Sequence, residues 1–79
     1  MTSRYYFDIR SDDDFSLDEQ GLQLTGQRAA AVEAASSLTE IMKDFPMIDG
    51  EPLKLVIEVR NEMGALFQIS FTSEQPFKH

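Results

Sequence analysis

Apolar and polar residues alternate from Arg4 to Arg10, with the period of two that is typical of a half-buried β-strand. The apolar face of this strand consists of Tyr5, Phe7 and Ile9. Aspartate, serine and glycine crowd the next stretch, residues 11–21, which predicts a turn region with room for a brief hairpin at Phe15 and Leu17. Residues 21–24 predict a short second strand, because the two leucines there fall on one face.

The apolar residues then change to helical spacing, which predicts a helix from about Gly26 to Asp44. Alanines favour the helical state in its first half, and Thr25 is placed to cap its first turn. Pro46 ends the helix, because proline disfavours the α conformation of the preceding residue. We expect the apolar stripe to pack on a sheet, with binding to a partner as the alternative. The stripe consists of Ala31, Ala34, Ala35, Leu38, Ile41, Met42 and Phe45.

Strand alternation returns after a loop over residues 47–52. Residues 53–60 predict a strand whose inward side chains are Leu53, Leu55, Ile57 and Val59. A hairpin loop follows over residues 61–64, in which Gly64 is expected to adopt the left-handed conformation. Residues 65–72 predict the last strand. Its inward side chains are Phe67, Ile69 and Phe71, and its outward side chains are Leu66, Gln68 and Ser70.

The predicted elements follow the order β-β-α-β-β, which indicates the α+β class. We expect a small antiparallel sheet of three to four strands, with one helix packed on one face. From a length of 79 residues we expect a single domain, residues 1–79. Its ordered core is expected over about residues 4–72, and residues 73–79 are expected to be frayed.

One helix leaves the opposite face of the sheet open, and this open face predicts self-association. Tyr6, Val56 and Leu66 are expected on the open face among charged side chains. A chain of this size buries only about 60–65% of the surface that its unfolded form exposes. We therefore predict a homodimer that forms through this face or through an edge strand.

Acidic residues outnumber basic ones by 14 to 7, which gives a net charge of −7. This balance argues against a nucleic-acid partner, since phosphate binding relies on clustered lysine and arginine. Five acids fall in one loop and are the weak candidates for metal ligands. Three consecutive aspartates diverge in an extended chain and lack the spacing of a calcium loop, so a solvated turn is favoured. The candidates are Asp12, Asp13, Asp14, Asp18 and Glu19.

The predicted open face also carries basic side chains beside an aromatic ring, which faintly resembles the platform of single-strand RNA readers. The basic residues are Arg4, Arg10, Lys54 and Arg60. Asp8 and Glu58 share that face, so cross-strand ion pairs are the favoured interpretation.

Several kinds of chemistry lack the residues that they need. The chain has no cysteine, and its single histidine is the last residue, His79. We therefore predict no catalytic residue and no cofactor. The sequence contains no signal-peptide pattern and no apolar run of about 20 residues, so we expect a cytoplasmic location without a membrane partner.

Four short motifs give the chain a family resemblance. They are the opening strand Arg4-Tyr5-Tyr6-Phe7-Asp8-Ile9-Arg10, the element Asp18-Glu19-Gln20-Gly21, the alanine-rich helix, and the hairpin Glu58-Val59-Arg60-Asn61-Glu62-Met63-Gly64. In this order the motifs resemble a family of small bacterial proteins that is classified as a domain of unknown function. The resemblance extends from Arg4 to about Phe71. It implies a small stand-alone protein and assigns no catalytic residue.

The sequence as a whole favours a non-enzymatic protein. We expect a protein-interaction or regulatory module that meets an unknown protein partner through an acidic surface. One alternative is an antitoxin-like protein, or a nucleic-acid mimic, whose carboxylates stand in for phosphates. The other alternative is a small metal-dependent enzyme that uses the acidic loop.

Overall fold

A computed structural model describes residues 1–12, 14–44 and 53–73, and in them it contains one helix and a five-stranded antiparallel sheet. This architecture confirms the predicted α+β class. The elements are β1 (Ser3–Ser11), β2 (Asp14–Ser16), β3 (Leu22–Leu24), α1 (Gln27–Lys43), β4 (Leu53–Asn61) and β5 (Gly64–Ser73). The predictions for Asp13, Phe45, Pro46, the loop at 47–52 and residues 74–79 of the tail lie outside the described residues. Ser73, the first residue of the predicted frayed tail, is the last residue of β5.

Strand β1 lies inside the sheet and pairs on both of its sides. On one side it is antiparallel to β4, with Phe7 opposite Val59 and Ile9 opposite Ile57. On the other side it pairs with β3 through its first half and with β2 through its second half. The brief hairpin expected at Phe15 thus contributes a strand of its own, so five strands occupy four positions across the sheet.

The core lies between α1 and one face of the sheet. Leu55, Ile57 and Val59 of β4 are at most 1% exposed, because β4 has a paired strand on each side and the helix above it. The inward rows of β1 and β5 pack around them, as the alternation predicts. The half-buried members of these rows are Phe7, Ile9, Phe67, Ile69 and Phe71.

The helix begins one residue later than its predicted cap requires. Gly26, not Thr25, is the N-cap residue, and no side chain caps the first turn, because glycine has no side-chain acceptor. The stripe that faces the sheet differs from the predicted one in its first half. Ala34 and Leu38 are buried as predicted, whereas Ala30 is fully buried instead of Ala31, and Ala35 is exposed. The small side chains of Ala30 and Ala34 let the helix backbone approach the sheet closely. Within the described residues, α1 is neither long nor apolar enough to cross a membrane.

Leu66 does not follow the alternation of β5. The pairing between β4 and β5 shifts by one residue next to Val59, so Phe67 pairs with Val59 whereas Ala65 pairs with Arg60. An extra residue of this kind disrupts the alternation of faces. Leu66 therefore packs against the core cluster, and its expected outward position is wrong.

Candidate functional site

The outer edge of β1 is completed by a short loop between β2 and β3. These strands are only three residues long, and they leave the backbone of Phe7 between them. The Phe7 N–H points to this outer edge and donates to Asp18 Oδ2 at 3.1 Å. The Asp18 carboxylate thus supplies the acceptor that a neighbouring strand would otherwise provide.

Asp18 also stabilises the conformation of the loop in which it lies, residues 17–21, which we call the Asp18 loop. Its Oδ1 accepts hydrogen bonds from the backbone N–H groups of Gln20 and Gly21, both at 3.1 Å. Burial acts to raise the pKa of the Asp18 carboxyl, but the hydrogen bonds from Gly21, Phe7 and Gln20 and the nearby positive charge of Arg60 outweigh it. The pKa of Asp18 therefore lies below its ordinary value.

The Asp18 loop is joined to β4 through Asp8 and Arg60. Asp8 is 4% exposed, and its Oδ1 accepts a hydrogen bond from the Asp18 backbone N–H at 2.9 Å. Arg60 Nε donates to Asp8 Oδ2 at 2.8 Å, and the Arg60 Nη2 group donates to Asp8 Oδ1 at 3.4 Å. The same Nη2 group donates to the Asp18 carbonyl oxygen at 2.8 Å. We call Asp8, Asp18 and Arg60 the Asp–Asp–Arg network.

An aromatic ring covers the guanidinium of the network. Arg60 Cζ lies 4.4 Å from the centre of the Tyr6 ring, within the range of a cation–π contact. The hydrogen bond to Asp8, together with the negative charges of Asp8 and Asp18, keeps the pKa of Arg60 above its ordinary value despite partial desolvation. Arg60 therefore stays charged and ties β4 to the Asp18 loop.

Gly21 allows the loop to lie against β1. Its φ of +71° is in the left-handed region, which is open to glycine. A Cβ atom at this position would lie 2.8 Å from Arg4 Cγ, 2.9 Å from Tyr6 Cε2 and 3.0 Å from the Tyr5 carbonyl oxygen. The loop therefore needs glycine here for both its conformation and its close approach.

Replacing Gly21 by alanine is expected to lower the free energy of unfolding by about 1–3 kcal/mol, measured by urea denaturation. About 1–2 kcal/mol comes from the left-handed conformation, and the contact with the Tyr5 backbone adds to it. Gly64→Ala shows what positive φ costs without a close contact, because Gly64 has open space around it, although its φ of +125° is less favourable for alanine than that of Gly21. A loss for Gly21→Ala that is below about 1 kcal/mol would contradict the need for glycine at position 21.

The acidic candidates divide into one internal residue and several exposed ones. Asp18 is occupied by backbone N–H donors, whereas Asp12, Asp14 and Glu19 are exposed. Within residues 1–12, 14–44 and 53–73, no group of three or more carboxylates or histidines is close enough to hold a metal ion. The structure thus does not gather the candidates of that part of the chain into one site.

The open face carries the cross-strand ion pairs that the sequence predicts. Arg60 pairs with Asp8, and Arg10 Nε lies 3.3 Å from Glu58 Oε2. Arg4 instead donates to the Gln20 carbonyl oxygen at 2.6 Å. Three arginines of the proposed basic platform are therefore engaged within the fold.

A shallow groove of about 540 Å³ crosses the open face beside these pairs. Val56 lies among its lining residues and is 7% exposed, and the other residues that line the groove are polar or charged. Tyr6 lies four pairing positions away from Val56, about 13 Å along the strands. Since Leu66 packs on the opposite side, the structure does not bring Tyr6, Val56 and Leu66 together in one apolar patch.

Exposed apolar side chains occur instead among the acids of residues 12–22, on both faces of the outer edge. Phe15 pairs opposite Arg10 of the open face, whereas Leu22 pairs opposite the buried Tyr5. Phe15, Leu17 and Leu22 are 50%, 54% and 42% exposed. Phe15 is also covered on one side by Arg10, whose Cζ lies 4.9 Å from the ring centre. We call the exposed residues of this region the acidic edge, which consists of Asp12, Asp14, Phe15, Leu17, Glu19 and Leu22.

The sequence pattern did not reveal the role of Asp18. Because residues 11–21 were interpreted as a turn region, Asp18 and Asp14 were both predicted to be solvated turn residues and weak candidates for metal ligands. The element Asp18-Glu19-Gln20-Gly21 was the available signal. In a turn that ends in glycine, an aspartate side chain commonly accepts hydrogen bonds from the backbone N–H groups two and three residues further on. Its link to Asp8 and Arg60 depends on strand pairing and is not visible in the local sequence.

The fold and the site define a class: a small α+β protein with a helix on one face of its sheet, whose outer edge is stabilised by a partly buried Asp–Asp–Arg network. A family model described as Domain of unknown function (DUF6894) matches residues 4–72. The chain belongs to this family, as its motifs indicated. The comparisons with curated proteins and with solved structures gave no match.

Proposed function

We propose that the protein is a non-enzymatic interaction module that binds a basic, partly apolar segment of another protein through the acidic edge. The observation that carries this proposal is the exposure of Phe15, Leu17 and Leu22 among carboxylates within one short stretch. Large exposed apolar side chains with a polar rim are typical of protein-binding surfaces.

The charge of the acidic edge sets the chemistry of the partner. Asp12, Asp14 and Glu19 are exposed beside the apolar side chains, and the whole chain carries −7. Opposite charge speeds association and selects against acidic partners, whereas the apolar contacts supply affinity. A partner segment that alternates lysine or arginine with aliphatic residues satisfies both requirements.

The Asp–Asp–Arg network supports this proposal by fixing the backbone of the loop. Asp18 lies between Leu17 and Glu19, and its carboxylate and carbonyl groups are hydrogen-bonded to β1 and β4. Residues on either side of Asp18 are therefore presented in one arrangement. A surface that is ordered before binding loses less conformational entropy when its partner arrives.

The test is an NMR titration of the ¹⁵N-labelled protein with a synthetic peptide of alternating lysine and valine. We expect amide shifts concentrated between residues 12 and 22, which weaken as salt is added. The variant Phe15→Ser/Leu17→Ser should bind at least about 10-fold more weakly, since two apolar contacts are lost. Glu62→Gln/Met63→Ser is the matched control, because it changes one exposed acid and one exposed apolar residue in the β4–β5 turn.

The same titration separates the proposal from its alternatives. A nucleic-acid mimic depends on carboxylates, so Asp14→Asn/Glu19→Gln would abolish binding and Phe15→Ser/Leu17→Ser would leave it unchanged. A peptide of alternating glutamate and valine should cause no shifts. Shifts spread over the whole chain, or equal loss of binding in the turn control, would contradict the acidic edge as the binding surface.

We also propose that the module acts as a homodimer, as the sequence predicts. Small domains bury a limited share of their surface, and a second copy adds to it. Light scattering after size exclusion should give twice the monomer mass of 9.0 kDa.

A further inference from the structure

The two edges of the sheet are built differently. The edge beside β1 consists of two three-residue strands, interrupted by the Asp18 loop and flanked by acids. The opposite edge is β5, a single strand of ten residues, Gly64–Ser73, whose pairing is regular from Phe67 onwards. Among the described residues no strand pairs with the outer side of β5.

The sequence of β5 lacks the features that keep an edge strand apart from other strands. Gly64–Ser73 contains no charged residue and no proline, although 27% of the chain is charged. Soluble proteins commonly protect a long edge with lysine, proline, a bulge or short strands. The β1 edge has such protection, and β5 has a bulge only at its beginning, near Leu66.

The direction of the free backbone groups of β5 follows from the pairing register. The Phe7 N–H points away from β4, so Phe7 and Val59 face each other without exchanging hydrogen bonds. Backbone groups alternate in direction along an antiparallel strand. Val59 and Ile57 therefore bond to β5 and not to β1. By the same alternation, Gln68, Ser70 and Thr72 direct their N–H and C=O groups to the free edge.

The side chains next to this edge are incompletely covered. Phe67, Ile69 and Phe71 pack against the core cluster on the helix-bearing face, yet all three are only half-buried. An added strand would cover them and would supply partners for the six free backbone groups. The same β5 of a second copy meets both needs, because an uncharged strand pairs with itself without repulsion.

We propose that β5 is the homodimer interface, with two copies of the strand paired antiparallel about a two-fold axis at Ser70. Ser70 then lies opposite Ser70 of the partner subunit, and Gln68 lies opposite Thr72 of the partner subunit. On the helix-bearing face, Ile69 packs against Phe71 of the partner subunit. The sheet runs continuously through both copies, and each acidic edge remains free at the far side. This proposal rests on the homodimer proposed above and adds its surface and register.

The first test places like charges on the axis. Ser70→Lys sets two lysines directly opposite each other, so the dimer Kd, measured by analytical ultracentrifugation, should rise by roughly 10-fold. Gln68→Lys is the matched control, because its lysine lies opposite threonine and should change Kd by less than about 3-fold. Both side chains are exposed on the open face, so the circular dichroism of both variants should match that of the wild type.

The second test uses the absence of cysteine from the chain. Directly opposite residues of an antiparallel pair lie about 5.5 Å apart at Cα, within the range of a disulfide. Ser70→Cys should therefore form a covalent dimer on mild oxidation, whereas Ser36→Cys, on the exposed side of α1, should stay monomeric. The register predicts that Gln68→Cys cross-links much less than Ser70→Cys.

The outcomes separate the proposals from one another. A wild type that is monomeric at several hundred micromolar would overturn both the homodimer and its β5 interface. A dimer that resists Ser70→Lys and does not cross-link through Ser70→Cys would overturn only the β5 interface. Ser70 lies outside the acidic edge, so a titration of Ser70→Lys with the lysine–valine peptide measures binding at that edge in a protein whose dimer is weakened. A dimer that dissociates in Ser70→Lys and cross-links at position 70 would support the proposed register.

Discussion

Replacing Asp8 by alanine is expected to lower the free energy of unfolding by about 2–4 kcal/mol. The buried Asp8 carboxylate accepts hydrogen bonds from the Asp18 backbone and from Arg60. Removing it leaves the Asp18 N–H without its acceptor and the guanidinium without its counter-charge. A domain of this size is stable by about 4–12 kcal/mol in all, so the loss is a large share. Urea denaturation followed by circular dichroism measures it.

Glu58 provides the matched control for Asp8. Glu58 is also an acid on the open face and also pairs with an arginine, but its side chain is 37% exposed. An exposed ion pair contributes about 0–1 kcal/mol, so Glu58→Ala should unfold close to the wild type. Asp8→Ala and Glu58→Ala with the same denaturation midpoint would contradict a stabilising role for the network.

A double-mutant cycle separates the pair from its surroundings. We expect Arg60→Leu to be more damaging than Asp8→Ala, because it leaves the Asp8 carboxylate buried without its positive partner. In the Asp8→Ala background, Arg60→Leu should cost much less than in the wild type. Additive losses would show that the two residues stabilise the fold independently.

Acidification is expected to remove the stability that Asp18 contributes. Its pKa in the folded protein lies below its ordinary value, so folding favours the charged form. That contribution is complete above the unfolded pKa of about 3.9, and it is lost as the pH falls through the lower pKa of the folded state. Asp18→Asn has no such contribution, because its side chain does not ionise, and its amide nitrogen cannot accept from Phe7.

The comparison of the wild type with Asp18→Asn gives this prediction its measurement. At pH 7 the variant should be less stable by about 1–3 kcal/mol, since it loses charge-assisted hydrogen bonds to the backbone. The gap should narrow as urea denaturation is repeated below about pH 4. Asp14→Asn removes the same formal charge from an exposed site and controls for net charge. A wild-type-to-Asp18→Asn gap that stays constant down to pH 2, or that closes in the same way for Asp14→Asn, would contradict the prediction.

The strands and the helix were predictable because each has one buried face. Leu55, Ile57 and Val59 alternate along β4, so all three are buried only if one face of the strand is covered. The apolar stripe of the helix predicts that the helix covers this face. Leu66 was placed wrongly for the same reason. A one-residue register shift reverses the faces that alternation assigns, and nothing in residues 64–67 marks its position.

The site was only partly predictable. Cross-strand ion pairs of Asp8 and Glu58 follow from charges on one face, and both are present. The role of Asp18 depends on a gap between two short strands, which no local pattern encodes. Gly21 was predicted only as the residue that joins the turn region to the second strand, whereas its close approach to Tyr5 is a tertiary contact. The density of acids also made the loop a candidate cation site. In the fold, however, the carboxylate of Asp18, one of those acids, accepts hydrogen bonds from backbone N–H groups.

The position of β1 inside the sheet has a consequence for how the chain folds. Its first partners, β2 and β3, follow closely in sequence, but Asp8 and Arg60 are 52 residues apart. The inner side of β1 therefore stays unpaired until β4 reaches it, and a long chain segment must close before the network can form. Distant contacts of this kind slow folding and prolong the time during which strand edges are open to other chains. Assembly of the N-terminal strand with the C-terminal hairpin is thus the expected slow step, and an uncharged β5 makes that interval sensitive to protein concentration.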